Sequence, residues 1–82
     1  MELEIHLDLE EAVPADLVRI EQELQAWCAA NVVGAPRPLP KPHSLRVDPG
    51  QRDCITALMD LHCRLYQCKA KIFINFIHEP IG

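Results

Sequence analysis

The sequence predicts an α+β fold, a small two-layer sandwich in the order β-α-(short β)-α-β. Three features carry this. Strand-like segments stand at both ends of the chain, alternating at Leu3–Leu9 and apolar on both faces at Lys71–His78. Two helical periodicities lie between them. A run of alternating prolines at residues 35–43 separates those two helices. With 82 residues the chain makes one domain, residues 1–82, in which 35–43 is a connector. A core of this size is small, so support from a second copy is expected.

The first strand reads Leu3, Ile5, Leu7 and Leu9 against Glu4, His6, Asp8 and Glu10. Apolar and polar residues alternate, the pattern of a half-buried strand. It therefore predicts a sheet edge or a less covered position. Glu4, His6 and Asp8 share its polar face, with neighbours about 7 Å apart. They form a possible polar cluster, in which His6 is the pH-sensitive member.

The first helix is expected from Pro14 or Ala15 to Asn31. Proline suits a first helical position, where a missing N–H costs nothing. Leu17, Ile20, Leu24, Trp27 and Cys28 make a narrow apolar stripe at helical spacing. Gly34 fits a helix stop.

Prolines 36, 38, 40 and 42 fix φ and remove donors, which predicts an extended strap. Their spacing of two differs from the spacing of three in a PxxP ligand. Leu45-Arg46-Val47 is the candidate short strand.

The second helix is expected from Pro49 to Lys69, with Asp48 as N-cap. Cys54, Leu58, Leu61, Leu65 and Cys68 recur at intervals of four and three along one seam. Ile55, Met59, His62 and Tyr66 form a second strip beside it. Together they span an apolar arc of roughly 200°, wider than one packing contact needs.

The last strand is apolar on both faces. Ile72, Ile74 and Phe76 point one way; Phe73 and Ile77 point the other, with Asn75 between them. Such a strand is normally interior, so the N- and C-terminal strands are expected in one sheet, packed by two helices and completed by dimerisation. Ile55, Met59, His62, Tyr66, Phe73 and Ile77 are the expected interface.

Charge divides unevenly. Residues 1–30 carry eight acids and one base, a net of −7; residues 31–82 carry seven bases and four acids, a net of +3. No clustered positive charge supports nucleic-acid binding. No apolar run of the ~18–20 residues of a membrane span occurs. The acidic, alternating N-terminus does not resemble an export signal, so a cytoplasmic address and reduced cysteines are expected.

Catalytic and metal centres lack support. Cys28, Cys54, Cys63 and Cys68 contain no C-x-x-C. Cys54 and Cys68 are ~21 Å apart along a helix and share no metal. His62 and Cys63 are adjacent and point about 100° apart, and Ser44 and Thr56 sit in no nucleophile motif. No cofactor and no catalytic residue is expected. The expected function is a small stand-alone protein-binding module of inhibitor, immunity or adaptor type, pairing with itself and with an unidentified protein. The alternative is a small-ligand-binding protein or compact enzyme, with an apolar pocket lined by Trp27, Met59, Tyr66 and Phe76 and anchored by His62 or His78.

Overall fold

Four antiparallel strands form one sheet in the order β2-β3-β1-β4. The computed structural model describes residues 2–50 and 55–77. The elements are β1 (Glu2–Asp8), α1 (Leu17–Asn31), β2 (Arg37–Pro38), β3 (Ser44–Val47), α2 (Ile55–Tyr66) and β4 (Lys71–Ile77). A 3₁₀ turn at Pro14–Asp16 leads into α1. The α+β architecture is as the periodicities predict.

Register follows from the alternation. Leu3, Ile5 and Leu7 face Phe76, Ile74 and Ile72 across the β1–β4 ladder, so these six side chains share one face. Leu3 also opposes Val47. That face packs on the helices, and Leu3, Ile5, Val47, Ile20, Leu61 and Leu65 are almost completely buried. Glu4 and His6 lie on the opposite face with Asn75 and Phe73.

The strand positions differ from expectation. β1 is central, between β3 and β4, and β4 stands at the sheet edge. A half-polar strand can be central because the helices cover one face of this antiparallel sheet, leaving the other to water and ion pairs. The apolar residues of β4 are consequently underused: Phe73 and Phe76 are exposed.

The proline strap contributes a strand of its own. Arg37 pairs with Arg46 and Pro38 with Leu45. A proline is tolerated there because β2 is an edge, where no ladder N–H is required on the outer side. His43 closes the β2–β3 connection with φ 58° and accepts a hydrogen bond from the Leu7 N–H at 3.0 Å.

The second helix also departs from expectation at its start. Pro49 and Gly50 are not helical. Asp48 Oδ1 accepts the Gly50 N–H at 2.8 Å, so Asp48 closes a turn. Gly50 has φ 69°, and a Cβ there would meet Val33 at 3.0 Å. Cys54 of the predicted seam lies outside the described residues; Leu58, Leu61, Leu65 and Cys68 are buried.

The end of α2 is a Schellman cap. Ala70 N–H bonds to the Leu65 carbonyl at 3.1 Å, and Lys69 N–H to the Tyr66 carbonyl at 2.9 Å. Lys69 takes the left-handed position at φ 60°. Buried Leu65 and Ala70 supply the motif's apolar contact. This tight reversal delivers the chain directly into β4 and sets β4 under α2.

Candidate functional site at the β4 edge

Among the described residues, β4 has β1 as its one strand neighbour. Its other side presents unpaired backbone groups, a template for an added strand. Above this edge α2 presents its second strip. Ile55, Met59 and Tyr66 are each at least 60% exposed. The His62 ring leans on Tyr66, with centroids 5.9 Å apart. Between helix and strand lies an apolar groove of about 400 Å³, lined by Met59 and His62 from α2 and by Ile72, Ile74 and Phe76 from β4. Ile77 is partly buried and Phe73 exposed on the opposite face of the strand. The wide arc of α2 therefore divides between two uses. Leu58, Leu61 and Leu65 enter the core, and the second strip borders the open edge.

The pocket expected from Trp27, Met59, Tyr66 and Phe76 does not form as one site. Trp27 is buried against α2 and donates its indole N–H to the Ala57 carbonyl at 2.9 Å. Met59, Phe76 and His62 meet in the edge groove, while Tyr66 is not part of its lining. His78 lies outside the described residues.

A second, larger groove of about 940 Å³ runs between α1 and the proline strap, floored by Leu7 and Leu45. Cys28 borders it, and burial pushes the Cys28 thiol above its ordinary range. A neutral thiol there is a poor nucleophile. Cys63 is exposed on α2; Cys28, Cys63 and Cys68 form no disulfide. No group of three metal-ligating side chains comes together among the described residues.

The polar face of the sheet holds a row that sequence spacing does not reveal. His6 Nδ1 is 2.8 Å from Ser44 Oγ, and His6 Nε2 is 3.5 Å from Glu4 Oε1. Asn75 Nδ2 donates to the same Glu4 oxygen at 3.3 Å. Asp8 does not join them; its Oδ1 accepts the Glu10 N–H at 3.0 Å. Serine, histidine and glutamate in line resemble a hydrolytic triad in composition alone. Ser44 is buried, and its hydroxyl donates to the Pro42 carbonyl at 3.3 Å. Ser44 is thus held from both sides inside the fold and is not presented to a substrate. The row ties β3, β1 and β4 together.

Next to it, Glu2 holds two arginines that register places opposite one another. Arg37 pairs with Glu2 Oε1, and Arg46 Nε lies 3.6 Å from Glu2 Oε2. Comparison with protein-family models, with curated proteins and with solved structures finds no match.

Proposed function

We propose that this chain is a small protein-binding accessory module without a catalytic centre of its own, and that the β4 edge with the second strip of α2 is its binding face. The observation that supports this reading most strongly is the juxtaposition of a strand edge that no other described strand covers with an apolar groove beside it. Strand addition uses both parts: the backbone edge supplies affinity, and pockets for alternate side chains supply specificity. Exposed, unbonded Cys63 suits a reducing compartment, and the cytoplasm is the proposed address.

Hydrogen exchange of the β4 amides, read with binding of a hydrophobic dye, tests the reading. Two results support it: fast exchange at alternate β4 amides with dye binding, or protection that disappears on dilution. Protection independent of concentration, with no dye bound, overturns it, because the chain then covers its own edge.

A second reading, a carrier of an apolar small molecule, draws on the groove between α1 and the strap. Its volume of about 940 Å³ falls in the usual range for ligand sites. Loss of dye binding in Leu24→Trp, which fills that groove, with Met59→Glu unchanged, favours the carrier.

A further inference from the structure

We infer that the partner at the β4 edge is a second copy of this chain, joined by antiparallel pairing of β4 with itself about a two-fold axis at Ile74. The inference rests on the proposed binding face and names its occupant.

Parity restricts how two copies pair. Directly opposed residues in an antiparallel ladder point to the same face. Even-numbered residues of β4 face the helices and odd-numbered ones face away. A two-fold pairing must therefore place one residue opposite its own copy. Lys71–Ile77 is centred on Ile74, so an axis there pairs all seven residues. Ile74 meets Ile74 of the other copy, Ile72 meets Phe76, and Phe73 meets Asn75. The two α2 helices then stand on the same side of a continuous eight-stranded sheet and close over the two edge grooves.

Charge and area both permit this. Lys71 is the one charged residue of β4, and the Ile74 axis sets its two copies ~20 Å apart at opposite ends of the seam. On α2, Arg64 is already paired with Asp60 and Glu23. Ile55, Met59, Tyr66 and Phe76, on the helix side of the seam, are between 40% and 64% exposed. At about 150–250 Å² per large side chain, they leave roughly 450 Å² of apolar surface. That is the size of a monomer's largest patch, which often marks a contact. The strand backbone and Phe73 on the far face add to it, toward the ~800 Å² per partner of a standard interface.

Light scattering across a dilution series tests the pairing. The expected result is twice the chain mass of 9.3 kDa. Met59→Glu, at an exposed site, is expected to return the mass to one chain. Val18→Glu, an exposed site on α1, is expected to leave it doubled. Register is read by cross-linking in a Cys63→Ser background. Opposed Cα atoms ~4.5–5.5 Å apart suit a disulfide. Ile74→Cys alone is expected to cross-link. Ile72→Cys is expected to need Phe76→Cys on the other copy. A single-chain mass at every concentration overturns self-pairing, as does a dimer indifferent to Met59→Glu. If that monomer still binds dye and exchanges its β4 amides quickly, the protein-binding reading stands and the self-pairing falls. If it does neither, both fall.

Discussion

Trp27 donates its indole N–H to the carbonyl of Ala57 at 2.9 Å, a bond that locks α1 against α2 at the centre of the helical layer. The ring is largely buried and touches the core formed by both helices and the sheet. Trp27→Phe keeps most of the apolar contact and removes the donor. It is expected to lower stability by about 1–2 kcal/mol, the sum of a net hydrogen bond and a small void. Trp27→Ala is expected to cost about 3–5 kcal/mol. Urea unfolding checks both, with a shifted midpoint and an unchanged slope.

Lys69 occupies a backbone position that favours glycine. Its φ of 60° completes the Schellman cap of α2, where a side chain crowds the following carbonyl. Lys69→Gly is expected to raise stability by ~1 kcal/mol, less the entropy that glycine loses on folding. Ala70→Leu forces a larger side chain into a fully buried site and is expected to lower stability by about 1–3 kcal/mol. Thermal unfolding of the two variants, in opposite directions, checks the cap.

Glu2 offsets a like-charge pair. Register sets Arg37 directly opposite Arg46, an arrangement that is unfavourable in an antiparallel ladder. The Glu2 carboxylate reaches both guanidinium groups. Glu2→Gln is expected to cost ~1 kcal/mol at low salt, with most of the loss recovered at about 1 M salt, where screening acts within ~3 Å. Glu2→Gln combined with Arg37→Gln is expected to cost less than Glu2→Gln alone. Unfolding midpoints at two salt concentrations check it.

The residues show why some of this was legible in the sequence and some was not. Leu3/Glu4/Ile5/His6 alternation marks β1, and the Leu58/Leu61/Leu65 seam marks the core face of α2, because both are local periods. Strand order is not a local property. Apolarity on both faces of β4 states what the strand favours as surroundings, and among the described residues the fold packs only one of those faces. Pro38 hid β2, since a proline argues against a strand except at an edge. The contact of Ser44 with His6 joins residues 38 positions apart, beyond any spacing rule. Met59 and His62 are readable as apolar surplus, but their meeting with Ile72, Ile74 and Phe76 depends on the turn at Lys69, and Phe73 and Ile77 fall on the far face of the strand.

Cys28 gives the fold an alkaline weakness. Burial raises its thiol pKa in the folded state, whereas an unfolded thiol ionises at about 8.5. The folded state therefore binds the proton more tightly. The stability this supplies is complete below about pH 8.5 and is lost as pH rises through the folded value. Other groups titrate in the same window, so the contrast with a variant isolates this one. Cys28→Ala is expected to be less stable at pH 7, because it removes a buried core side chain, but to lose less on going from pH 8 to pH 10. Urea midpoints of both proteins across that interval check it, and parallel curves would refute the assignment to Cys28. Thiol labelling at pH 8 gives an independent readout. Exposed Cys63 is expected to react before Cys28 and Cys68, which become labelled only as the fold opens.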